Sequence, residues 1–208
     1  MPFALNIFDY DGVLVDSLNE VISAGQDYCR SIGLGCRLNK KIIASLDPMT
    51  YDQLARSIDL PSDLIEPFSR FVFKRLQQAD AAMPFFPGIK SLLCQLAPPN
   101  TAIVSGNSRE VIATKLGAHG LDRHIAWIFG AYEPGDKTEK IIKACSHVDA
   151  DPAHTCMIGD SMSDIRHAKK AGVLSIAVTW GWQSRDVLAN EEPDHIVESV
   201  DELIALLI

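Results

Sequence analysis

Cysteine is scarce: five residues (Cys29, Cys36, Cys94, Cys145 and Cys156) in 208, an odd count with no CxxC pair. That excludes a disulfide framework and a structural zinc site of the usual spacing, and it fits reduced thiols in the cytosol. Basic residues are in deficit, with 19 Lys and Arg against 27 Asp and Glu and a formal net charge of -8. A general nucleic-acid surface needs a basic face, so that class is excluded; a small phosphate held beside a metal ion is not. No apolar run approaches the length that spans a bilayer. The first residues run into a strand without a basic-plus-apolar leader, so a cytoplasmic protein with no membrane partner is expected. Repeats and low-complexity segments are absent. What is present is a hydrophobic fraction of 47%, enough for a real core. The length suits one large domain, or one domain carrying an insertion.

The organising stretch is Leu5-Asn6-Ile7-Phe8-Asp9-Tyr10-Asp11-Gly12-Val13-Leu14-Val15-Asp16-Ser17. It begins as a short apolar run of the kind buried in parallel sheets and ends abruptly on an acid. After Ser17 the period turns helical, with Ser17 and Glu20 in the S-x-x-E capping pattern. From there to Met83 no strand is evident, and Asp47-Pro48 and Leu60-Pro61 mark boundaries between helices. Residues 16–83 are therefore expected to form an all-helical insertion, with 1–15 and 84–208 forming the core domain. Strands at Thr101–Val104, Ala126–Phe129, Thr155–Ile158 and Leu174–Val178 alternate with helices. A sixth is expected at His195–Val197, followed by a closing helix with its own capping box at Ser199. This alternation predicts an α/β fold with a doubly wound parallel sheet.

Three strands end in polar clusters: Asp9/Asp11, Ser105, and Asp160 followed by Asp164. A parallel sheet brings all strand C-termini to one edge, where such groups converge. Lys137, opening a helix between strands three and four, reaches the same edge. Converging carboxylates repel unless a cation is present, and oxygen ligands of this kind favour Mg²⁺ over zinc. A carboxylate beside Mg²⁺ can attack phosphorus, splitting hydrolysis into two steps. A second acid must protonate the leaving alkoxide and then activate water; Asp11 is placed for it. Backbone N–H groups of Ser105-Gly106-Asn107 suit phosphate oxygens, and Lys137 would offset developing charge. Taken singly, each residue has a plainer reading. Asp160 suits a helix N-cap, Asp164 a capping box with Ser161, Lys137 a solvated side chain and Ser105 a turn.

Together the clusters resemble the haloacid dehalogenase superfamily over nearly the whole chain. Phe8 to Ser17 is similar to its first motif, Ser105 to the second, and Lys137 to the third. Ile158-Gly159-Asp160-Ser161-Met162-Ser163-Asp164-Ile165, continuing through Ala171-Gly172-Val173, is similar to the fourth. The resemblance implies Asp9 as nucleophile and metal ligand. It implies Asp11 as acid/base with its main-chain carbonyl on Mg²⁺, and Asp160 as metal ligand with Asp164 supporting or joining that shell. The helical insertion and Val178-Thr179-Trp180-Gly181-Trp182 resemble the phosphoglycolate phosphatase-like branch, in which the insertion is a cap.

Three departures stand out. Tyr10 replaces a smaller or aliphatic residue, with little effect expected on chemistry. Asn107 is offset by one position from the usual Ser-Asn form. Leu46-Asp47-Pro48-Met49-Thr50 lacks the glycine usual in the specificity loop.

An acid at position 11 separates this chain from the dehalogenase and phosphonate-cleaving branches, and points to cleavage of a phosphate ester. The leading expectation is a Mg²⁺-dependent phosphatase acting on a small phosphorylated metabolite through an aspartyl-phosphate. A phosphomutase resembling β-phosphoglucomutase uses the same groups and stays open. So does a silent binding or scaffold protein on this fold, although Asp9, Asp11 and Asp160 are all retained. Arg30, Arg37, Lys40, Lys41, Arg56, Arg70, Lys74 and Arg75 give the insertion basic groups for an anionic leaving group or, more plainly, solvated helix faces. The oligomeric state is not legible.

Overall fold

A short, mostly apolar run with little internal alternation forms a strand only if both its faces are covered. Leu5–Phe8 is such a run, and in a computed structural model describing residues 3–96 and 100–208 it is fully buried as β1. Five more strands follow: β2 (Thr101–Val104), β3 (Trp127–Phe129), β4 (Thr155–Gly159), β5 (Leu174–Val178) and β6 (His195–Val197). All pair in parallel in the order β3-β2-β1-β4-β5-β6. The fold class is thus the doubly wound α/β sheet read from the sequence. β1 and β4 lie side by side at its centre, with Phe8 in register with Ile158. Chain direction along the sheet reverses there, which is where such sheets bind ligands.

Inserted after β1 are α1 (Leu18–Ser31), α2 (Lys40–Ala44), α3 (Tyr51–Ser57) and α4 (Ser62–Ala79). The remainder supplies α5 (Ile89–Gln95), α6 (Arg109–Ala118), α7 (Lys137–His147), α8 (Met162–Ala171), α9 (Arg185–Ala189) and α10 (Val200–Leu207). Alternate residues of β1 serve opposite layers. Phe8 packs with Ile103, Ile158, Leu92 and Leu203 on one face; Ile7 packs with Val104, Met157, Ile141 and Ala168 on the other. Helices α1 to α4 bury a separate apolar cluster around Val21, Tyr28, Leu54, Phe68 and Val72. Within it the Tyr28 and Phe68 rings meet edge to face at 5.4 Å. Burying a side chain such as Phe68 stabilises by roughly 1.5–3 kcal/mol, so this cluster does not depend on the sheet for all its cohesion.

Three expectations fail in detail. Ser17 precedes α1 but makes no side-chain cap. Its side chain is fully buried beside the Asp11 carboxyl instead, and Glu20 pairs with Arg75 of α4 at 3.1 Å. At α10, Ser199 accepts from the Glu202 N–H, but Glu202 returns its carboxylate to the N–H of Glu198, not to Ser199. Helix α9 was not foreseen, since five residues are too few to show a period.

Several contacts tie the helical insertion to the sheet. Arg166 of α8 donates to Asp47 at 2.7 Å and to Glu191 at 2.6 Å. Gln183 donates to the Leu46 carbonyl at 2.9 Å. Phe73 of α4 meets Tyr132, beyond β3, at 6.2 Å. Where the chain returns from α4, Asp80 is buried between Tyr10 and Lys115.

Candidate active site

Asp9 leaves β1 with its N–H bonded to the Ile158 carbonyl of β4 at 2.9 Å, so its carboxylate emerges at the sheet's C-terminal edge. The Tyr10 N–H donates to Asp9 Oδ1 at 2.7 Å. Gly12 then turns the chain at φ +78°, in the left-handed region that glycine enters without a Cβ penalty. The turn also makes room. A Cβ on Gly12 would lie 2.0 Å from Asp160 Oδ2, and one on Gly181 would lie 2.3 Å from the same atom. Asp160, arriving from β4, is thus held between two glycine backbones, and Oδ2 accepts the Trp182 N–H at 2.7 Å.

Helix α7 begins with a full capping box between Asp136 and Glu139. That fixes Lys137 at its first position, where the ammonium group reaches Asp9 Oδ2 at 2.9 Å and Asp164 Oδ1 at 2.5 Å. A lysine there opposes the helix dipole; two carboxylates supply the compensation. Asp164 satisfies both of its sequence readings. Oδ2 closes a capping box on Ser161 at the start of α8, while Oδ1 faces Lys137.

The Ser105-Gly106-Asn107 turn differs from expectation. Ser105 donates its N–H to the Phe129 carbonyl, and Ser105 Oγ accepts the Asn107 N–H at 3.1 Å. Two of the three N–H groups offered to phosphate are therefore engaged within the turn, leaving that of Gly106. Asn107 does not line the cavity at the sheet edge. Its one-residue offset points the amide at Asp11, donating to Oδ2 at 3.1 Å. Asn107 thus faces an acid in this structure.

The cavity holds about 420 Å³ and brings together Asp9, Asp11, Ser105, Gly106, Lys137, Asp160 and Asp164. Met49 and Thr50, in the loop read as the specificity loop, also line it; the sequence reading does not assign Tyr51, Ser161, Ser163, Asp136 or Lys140 to the wall. Trp182 had been noticed only through the resemblance. Only the position of the Leu46–Thr50 loop pointed toward the cap wall; nothing local marked Tyr51.

Burial pushes Asp11 up to about 7, aided by Asp9 and opposed by Ser17 and Asn107. Burial also raises Asp9, against the lowering influence of Lys137. Asp160 is raised by burial, then by Asp164 and Asp9. Lys137 is itself desolvated, yet Asp164 and Asp9 carry its pKa upward, so it stays charged. Metal chemistry fits this set. Carboxylate oxygens of Asp9, Asp160 and Asp164 lie within 4.8 Å of one another, and with one ammonium group placed between Asp9 and Asp164 these three acids leave excess negative charge for a hard cation. The Asp11 carboxylate stands outside that cluster, and its Oδ1 is buried with no hydrogen-bond partner.

Residues 6–178 match the family model described as haloacid dehalogenase-like hydrolase. The "Phosphoglycolate phosphatase" of Synechococcus elongatus is 28% identical over 95% of this chain and 94% of its own length. The "Pyrophosphatase PpaX" of Oceanobacillus iheyensis is 25% identical over 97% and 95%. A solved haloacid dehalogenase-like protein, SP0104 from Streptococcus pneumoniae, shares the fold at a TM-score of 0.84, with 22% identity and 99% of both chains covered.

Proposed function

Because the chain belongs to the haloacid dehalogenase-like hydrolase family, we propose that it is a Mg²⁺-dependent phosphatase acting on a small phosphorylated metabolite through an aspartyl-phosphate on Asp9. The observation that carries this reading is the convergence of Asp9, Asp11, Ser105, Lys137 and Asp160 on one cavity. Asp9, Asp160 and Asp164 would hold the metal, which when bound supplies positive charge to the acids and to the phosphate oxygens. Asp9 Oδ2 attacks phosphorus as the bond to the leaving oxygen breaks. Asp11, whose raised pKa keeps a proton near neutrality, gives that proton to the departing alkoxide. The resulting Asp11 carboxylate then takes a proton from the water that attacks phosphorus, releasing phosphate and restoring Asp9. Asn107 holds Asp11 in orientation for both transfers. Lys137 stabilises charge on Asp9 and the transferred group. Ser105 and the Gly106 N–H contact phosphate oxygens. Helices α1 to α4 act as a cap that excludes water during the first step.

The test is Mg²⁺-dependent phosphate release over a panel of phosphate esters, comparing wild type with Asp9→Asn. Release by wild type alone supports the proposal. Equal turnover by both proteins, or none by either across the panel, overturns it.

A further inference from the structure

We propose that the substrate's leaving group is uncharged, so that the enzyme prefers phosphate esters of neutral alcohols over phosphorylated acids and pyrophosphate. This rests on the phosphatase reading and deepens it. The part of the cavity wall contributed by the insertion is Met49, Thr50 and Tyr51, none of which carries a charge. The insertion has eight basic residues, and none of them lines the cavity. Several are committed elsewhere: Arg30 to Asp27, Arg70 to Glu66, and Arg75 to Glu20 and Asp27. Lys40 faces a different hollow, with Gln183 and Arg185.

On the opposite wall the cations are spoken for. The Lys137 ammonium group lies between Asp9 and Asp164. Lys140 is buried and donates to the Gly130 carbonyl at 2.7 Å. Five carboxylates line the cavity against these two ammonium groups, so the acids and the phosphate itself absorb what positive charge the ammonium groups and a divalent ion can offer. A carboxylate or second phosphate on the leaving group would be desolvated without a counter-charge, and a buried charge that is not paired is costly. A hydroxyl meets no such cost: among the lining residues Thr50 and Tyr51 carry hydroxyl groups, Trp182 carries a buried Nε1–H without a partner, and Met49 is apolar.

The probe is a matched pair, 2-hydroxyethyl phosphate and 2-phosphoglycolate, which differ only in a CH₂OH against a carboxylate. Wild type with Mg²⁺ is expected to show kcat/KM at least tenfold higher for the hydroxyethyl ester, with pyrophosphate also poor. Calorimetric binding of the non-hydrolysable counterparts, 3-hydroxypropylphosphonate and 3-phosphonopropionate, should show the same order. Met49→Lys, which places an ammonium group on the neutral wall, is expected to shift the ratio toward the carboxylate. Ratios near one, or inverted, in a protein that hydrolyses p-nitrophenyl phosphate in an Asp9-dependent way overturn this inference and leave the phosphatase reading standing. No release from any ester, p-nitrophenyl phosphate included, overturns that reading and this inference with it.

Discussion

Lys115→Met should destabilise the protein by about 3–5 kcal/mol, the usual loss when one member of a buried ion pair is removed. Lys115 and Asp80 are almost fully buried, so solvent does not screen the pair. The Lys115 ammonium group stands 4.0 Å from Asp80 Oδ2, and it donates to the carbonyls of Asp80 and Met83. The Tyr10 hydroxyl donates to the same carboxylate at 2.9 and 3.1 Å. Methionine fills similar volume, so the loss is electrostatic: a carboxylate without its counter-charge and an unsatisfied Met83 carbonyl, the Asp80 carbonyl keeping the Met83 N–H. Urea denaturation reads the change directly. At roughly 2–4 °C per kcal/mol for a chain of this size, the melting temperature should fall by about 6–20 °C. Adding Asp80→Asn should recover part of the loss, because the unpaired charge disappears while the Met83 carbonyl stays unsatisfied. Tyr10→Phe alone should cost less, about 1.5–3 kcal/mol, as one hydrogen bond to a charged group. A Lys115→Met protein within 1 kcal/mol of wild type, or a double variant no more stable than the single, would refute the reasoning.

Gly181→Ala should abolish phosphate release, because its Cβ would fall 2.3 Å from Asp160 Oδ2 and 2.5 Å from the Gly12 carbonyl; activity within threefold of wild type would contradict this packing. The metal-free protein should carry a pH signature from Asp11. Its folded pKa, raised to about 7 from 3.8, means the folded state binds the extra proton between those values, so this contribution to stability falls as pH rises through that window. Comparing wild type with Asp11→Asn by urea denaturation from pH 4 to 8 isolates it: wild type should lose ground to the variant as pH rises. Mg²⁺ should raise the melting temperature most at the alkaline end, where Asp9 and Asp160 are ionised. At a concentration one hundred times Kd the gain is about 2.7 kcal/mol. A shift independent of pH would show that the buried acids are not what binds it.

The central strands were legible because Leu5–Phe8 and Thr155–Gly159 are buried on both faces and so leave mostly apolar runs with little alternation. The acids at their ends were legible because a parallel sheet brings its strand ends together wherever they lie in the chain. Side chains whose partners are set by tertiary contact were not. Ser17 has the pattern of a cap, but burial beside Asp11 overrides it. Asn107 looked like a phosphate contact, since nothing local reveals that its amide turns to Asp11. Tyr10 was expected to have little effect on the chemistry; its structural partner, Asp80, lies 70 residues away and leaves no local signal. Met49, Thr50 and Tyr51 form the cavity wall only because α3 and its preceding loop fold over the sheet edge.

The most direct test of the central claim is chemical trapping of the acyl phosphate. Borohydride reduces an aspartyl-phosphate to homoserine, and peptide mass mapping locates it. During turnover of a phosphate ester with Mg²⁺, homoserine should appear at position 9, and it should be absent when the ester or the metal is withheld. Continued turnover with homoserine at another acid, or at none, would contradict Asp9 as the nucleophile.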